Sequence, residues 1–118
     1  MDKPISRKAH GLTDYSYVPS ILASPSVAGF EDEPGAVLAT RLLASGILIS
    51  SFFTRAEWGV VKRMPYKNHL ALDTLGGLTA LASPWLFGFS HNKKARNALL
   101  FFGAFGLIAG NLSKPEEM

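Results

Sequence analysis

The stretch HLALDTLGGLTALASPWLFGF at residues 69–89 has a counterpart 59 residues earlier, HGLTDYSYVPSILASPSVAGF at residues 10–30. Aligned without a gap, the two share a His, an Asp four residues on, Leu-Ala-Ser-Pro and a closing Gly-Phe. At the same offset, Phe53-Thr54-Arg55 faces Leu112-Ser113-Lys114. A chain of 118 residues has room for one domain. The repeat therefore fixes that domain as two copies of one unit, residues 10–55 and 69–114, joined by a segment at 56–68. Each unit holds two apolar segments and so returns to its starting side. Both copies then run the same way, related by a pseudo-two-fold axis along the segments.

Four apolar blocks are separated by charged connections, at residues 12–30, 36–53, 70–89 and 98–112. A helix rises 1.5 Å per residue, and a bilayer core of roughly 30 Å needs about 20 residues. The first and third blocks reach that length; the second and fourth need flanking residues. LGGLTALASPWLFGF and ALLFFGAFGLIAG are apolar around the whole helical circumference, with no polar stripe of the kind a soluble surface helix shows. The expected fold is all-α, with four transmembrane helices as two tandem hairpins. Asp14, Pro19 and Pro25 interrupt the first block in a way that does not suit a secretory signal.

Charge placement supports a membrane over a nucleic-acid partner. The net charge is +3, but the basic residues sit in short clusters beside apolar runs. With both termini in the cytoplasm, the N-terminus, the central segment and the tail place eight basic residues inside. Four lie outside: Arg41, Lys93, Lys94 and Arg96. The bias predicts a multi-pass inner-membrane protein with both ends cytoplasmic. AEWGVVKRMPY lies along the interface or forms a solvated loop with an aromatic anchor. There are no cysteines, so disulfides and thiolate metal sites are excluded.

His and Asp four apart share one helical face. The repeat predicts that His10, Asp14, His69 and Asp73 gather at one depth near the cytoplasmic side, with Ser50, Ser51 and Asn111 at the same level. The first reading is structural: a carboxylate near a helix start is favoured by the helix dipole, and polar contacts tie membrane helices together. The second is functional, because ionisable groups within a span are costly and mark ion, proton or substrate paths. A third has His10 and His69 holding a metal ion or, as axial ligands, a haem; no cofactor is otherwise expected, and no tightly spaced metal motif is present.

Ser83-Pro84 falls well inside the third block. Pro84 predicts a kink, or Ser83 caps one helix and Pro84 starts another. Trp85 then joins the aromatic belt and Gly88 ends the helix. Ser24, Pro25, Gly29 and Phe30 repeat the pattern. Gly106 and Gly110 form a GxxxG, and Gly76-Gly77 adds small residues for close packing. Arg41 is expected to snorkel or to pair with Glu31 or Asp32, and His91 to be a solvated loop residue.

These residues resemble the SPW-repeat integral membrane proteins. His69, Asp73, Ser83, Pro84, Trp85, Leu86, Gly88 and Phe89 carry the likeness, echoed by His10, Asp14, Ser24, Pro25, Gly29 and Phe30. The first copy departs at Ser26, where the family has Trp. The resemblance implies four membrane-spanning helices in small, mainly bacterial proteins, and supplies no catalytic residues. The expected function is a structural or partner-binding bundle, with the bilayer and a membrane partner or second copy as its company. The alternative is a small transporter or ion- or proton-conducting unit using the His/Asp cluster. No nucleophile–base constellation points to an enzyme.

Overall fold

The computed structural model describes residues 3–115 and 117. Among them are four helices and no strand: α1 (Arg7–Ala28), α2 (Pro34–Phe53), α3 (Tyr66–Leu86) and α4 (Lys93–Leu112). Each begins before the apolar block that announced it, because capping chemistry sets the start. Ser6 Oγ accepts from the Ala9 N–H at 3.1 Å, and Asn92 Oδ1 from the Ala95 N–H at 3.2 Å. Pro34 opens α2, and Pro65 stands immediately before α3.

The Ser-Pro motifs close α1 and α3 without breaking them. Pro25 and Pro84 lie within continuous helices, and Ser83 Oγ donates to the Ala80 carbonyl at 2.7 Å instead of capping a new helix. Gly29 and Gly88 take left-handed φ values of 81° and 73°. The chain then folds back, so that the Phe30 N–H reaches the Pro25 carbonyl at 2.9 Å and the Phe89 N–H reaches that of Pro84 at 2.8 Å. Phe30 and Phe89 are both fully buried, packed with Ala36, Ala39, Ala80, Ala95 and Leu99 at one end of the bundle. Trp85 points outward and is 62% exposed.

α1 packs chiefly on α2, and α3 on α4; the two hairpins meet through α2 with α3 and α1 with α4. Within the second hairpin, α3 and α4 approach closely at a pair other than the expected GxxxG. A Cβ on Gly103 would lie 2.8 Å from the Gly77 carbonyl oxygen, whereas Gly106 and Gly110 have no neighbour nearer than 3.9 and 3.7 Å. The register that brings Gly77 to Gly103 leaves the GxxxG outside the tightest contact.

Both unit boundaries are sealed alike. Ile5 bridges in parallel to Ser113, and Thr54 bridges to Met64, the same pair displaced by 59 residues. The Lys114 N–H donates to the Ile5 carbonyl and the Arg55 N–H to that of Met64, each at 2.8 Å. The end of each hairpin is thus tied to the start of the other.

Two helices, Pro34–Phe53 and Lys93–Leu112, are long and apolar enough to cross a membrane. The expected ranking of the blocks is therefore reversed. α1 and α3 have 22 and 21 residues, but they carry the His and Asp side chains of the site, which lower their mean hydropathy. Arg41 is exposed, with no ion pair to Glu31 or Asp32 among the described residues.

Candidate functional site

His10, Asp14, His69 and Asp73 form one tetrad, the first three buried and Asp73 with its side chain 8% exposed. The i, i+4 spacing presents each His and Asp on a single face of α1 or α3, and the pseudo-two-fold axis turns the two faces toward each other. The bonding is reciprocal. His10 Nε2 lies 2.6 Å from Asp73 Oδ2 and 3.2 Å from Asp14 Oδ2. His69 Nε2 lies 2.6 Å from Asp14 Oδ2 and 3.2 Å from Asp73 Oδ2. Each histidine thus takes its shorter contact from the other repeat. His10 is 1% exposed, His69 2% and Asp14 7%.

The helix ends supply a further layer. His10 Nδ1 is 2.6 Å from Ser113 Oγ, and His69 Nδ1 is 2.8 Å from Thr54 Oγ1. Ser113 Oγ donates its own proton to the Ala109 carbonyl at 2.5 Å, and Thr54 Oγ1 donates to that of Ser50. A hydroxyl whose proton is already committed must accept from its other neighbour. Both Nδ1 atoms therefore carry hydrogen and donate, and both Nε2 atoms face the carboxylates. Tyr66 walls the tetrad, stacked on His69 at 6.0 Å and edge-on to His10 at 6.0 Å.

Of the remaining expected residues, Ser50 bonds the Ile47 carbonyl at 3.0 Å and contributes its own carbonyl to Thr54. Ser51 is buried nearby, but its hydroxyl has no hydrogen-bond partner among the described residues. Asn111 is not part of the cluster: it is exposed and bonds the Leu107 carbonyl one turn back, on the outer face of α4. Thr54, Ser113 and Tyr66 were not singled out. The repeat marks the first two, because Thr54 and Ser113 occupy equivalent positions with a hydroxyl in each. Tyr66 has Arg7 as its counterpart, and nothing in the pattern flags it.

The haem alternative finds no room. The two imidazole centroids are 5.4 Å apart, and both Nε2 atoms are engaged by carboxylates, leaving no slot for a macrocycle between the rings. The Ser-Pro residues lie at the opposite end of the helices and take no part in the tetrad. His91 pairs with Glu33 at 3.0 Å while its side chain stays 71% exposed.

A cavity of about 300 Å³ adjoins the tetrad, lined by residues of all four helices. His10, Asp14 and Asp73 form its polar end, and Leu42, Leu75 and Phe105 are among its apolar walls. Below the tetrad, the central connection folds against α1. Trp58 Nε1 donates to the Lys8 carbonyl at 2.9 Å, and Arg7 Nε meets Glu57 Oε1 at 2.5 Å. That guanidinium holds the Glu57 carboxyl below its usual range.

No protein-family model, curated protein or solved structure matches the chain.

Proposed function

We propose that the chain is a four-span membrane protein of the SPW-repeat kind. Its hairpins cross an inner membrane in the same direction, both termini cytoplasmic, and it serves as a binding bundle centred on the His/Asp tetrad. Helices of 20–22 residues are about 30–33 Å long and match a hydrocarbon core. Leu38, Leu48, Ile49, Phe101 and Ile108 on α2 and α4 face outward, which suits lipid and not water.

One observation carries the functional reading. Four ionisable groups from two repeats converge in the interior, and three of them, His10, Asp14 and Asp73, border a cavity. Such groups are costly inside a span and mark function there. A role in packing alone needs no cavity beside the carboxylates. A conducting role has less support, because beyond the tetrad the chamber is walled largely by aliphatic and aromatic side chains, and its hydroxyls, on Tyr17, Ser50, Thr79 and Ser83, are committed to backbone carbonyls.

Reporter fusions at Asp32, Arg63, Asn92 and the C-terminus test the topology. The first and third should report the outer face, the second and fourth the cytoplasm. Recovery of the chain in the supernatant without detergent would overturn the membrane reading. Native mass spectrometry of the chain released from micelles tests binding: a retained adduct should vanish in the variant carrying Asp14→Asn and Asp73→Asn. An adduct unchanged in that variant would place binding elsewhere.

A further inference from the structure

We infer that the tetrad is a binding site for one divalent transition-metal ion of the zinc class, held by His10 Nε2, His69 Nε2 and one oxygen each of Asp14 and Asp73. The inference rests on the tetrad being the bundle's binding node. It starts from the hydroxyl relays, which fix both rings with hydrogen on Nδ1. In a neutral ring of that tautomer, Nε2 presents its lone pair. Each Nε2 lies 2.6 and 3.2 Å from two carboxylate oxygens, so a proton or a cation must stand between them. Four electron-rich atoms cannot converge without positive charge among them.

In the metal-free chain two protons supply it as two imidazolium–carboxylate pairs, which sets two like-charged rings with centroids 5.4 Å apart. A single dication supplies the same charge from one point and removes that repulsion. Two neutral imidazoles and two carboxylates around it give a site of zero net charge, suited to an apolar interior.

The geometry fits. One donor atom from each of the four residues lies within 4.8 Å of all the others. A tetrahedral zinc site with bonds of about 2.0–2.2 Å has donor–donor edges of about 3.3–3.5 Å. Of the six edges, the two 3.2 Å contacts already match, the two 2.6 Å contacts need to open by less than an ångström, and the His–His and Asp–Asp edges, no longer than 4.8 Å, need to close by at most about 1.5 Å. Metal-bound histidines regularly donate their other N–H to a fixed acceptor, as Ser113 and Thr54 accept here. Imidazole with carboxylate, without thiolate, selects zinc, iron or manganese over copper(I). Asp14 and Asp73 border the cavity, so the site has a route of entry.

The full chain, purified in detergent with a tag free of histidine and stripped by chelator, should bind one Zn²⁺ per chain by calorimetry. Co²⁺ should give the intense visible bands of tetrahedral coordination, displaced by Zn²⁺. X-ray absorption of the zinc-loaded wild-type chain should show nitrogen and oxygen neighbours at about 2.0–2.1 Å with imidazole scattering. This readout needs no variant to fold. Ser113→Ala and Thr54→Val, which leave all four donors in place, should each weaken Zn²⁺ binding about 10–100-fold. His91→Ala should leave it unchanged. A wild-type chain of intact helicity that binds no Zn²⁺ below about 100 μM overturns the inference, as does binding that persists in the variant carrying His10→Ala and His69→Ala. In either case the topology fusions would still stand or fall separately.

Discussion

Replacing Asp14 with Asn measures how far the tetrad acts as a unit. The substitution keeps the volume and removes the charge. His69, with its side chain 3% exposed, loses its partner at 2.6 Å and keeps Asp73 at 3.2 Å; His10 loses a contact at 3.2 Å. Removing one partner of a buried ion pair costs about 3–5 kcal/mol in soluble proteins. Polar contacts between membrane helices average about 0.6 kcal/mol. Because each ring retains one carboxylate, about 3 kcal/mol is expected. Asp73→Asn removes the symmetry-related set, one contact at 2.6 Å and one at 3.2 Å, and should match within about 0.5 kcal/mol. The second removal acts on a network already loosened, so the double variant should fall short of the sum by at least about 1 kcal/mol. The assay is equilibrium unfolding in mixed micelles with chelator present, followed by far-ultraviolet circular dichroism. Single losses below about 1 kcal/mol each, adding without interaction, would refute the reasoning.

Gly103→Ala drives a methyl to 2.8 Å from the Gly77 carbonyl oxygen and 2.9 Å from the Leu81 nitrogen, and should cost about 1–3 kcal/mol in the same assay. Gly46→Ala meets nothing within 4 Å and should be neutral or stabilising by up to about 1 kcal/mol. Tyr17→Phe leaves the Phe102 carbonyl without its hydroxyl donor and should lower stability by about 1 kcal/mol. Glu57→Gln probes a part-exposed pair in which the folded carboxyl titrates below the unfolded one. Its contribution is therefore present above the unfolded pKa of about 4.3 and lost as pH falls through the lower folded value. Solvent screening limits the loss at pH 7 to about 0.5 kcal/mol, vanishing near pH 2, as urea titrations at the two pH values will show.

Much of the site was legible because the repeat carries three-dimensional information that composition lacks. The offset of 59 pairs His10 with His69 and Asp14 with Asp73, and one helical turn between His and Asp puts all four on facing surfaces. Gly29 and Gly88 likewise announced where α1 and α3 end. What escaped depended on contacts between elements. Asn111 sits one helical step off the inward face of α4, a rotation that its apolar neighbours do not reveal. Thr54 and Ser113 stand just past helix ends, where side-chain direction follows cap geometry more than periodicity. Gly103 outranks Gly106 because interhelical register is set by the packed whole. The helices carrying the tetrad are the more polar pair for the same reason that makes them interesting.

The matching seams at Ile5–Ser113 and Thr54–Met64 make the chain a closed ring in all but its covalent bonds. Which seam the peptide backbone crosses is then incidental. A circular permutant beginning at Met64, with the old ends joined by a short linker, should assemble the same molecule. Neither half contains a whole centre, since each His leans on the Asp of its twin. A lone hairpin would have to dimerise to complete one. The two halves are not identical: Trp85 stands where the first has Ser26, and Tyr66 where it has Arg7.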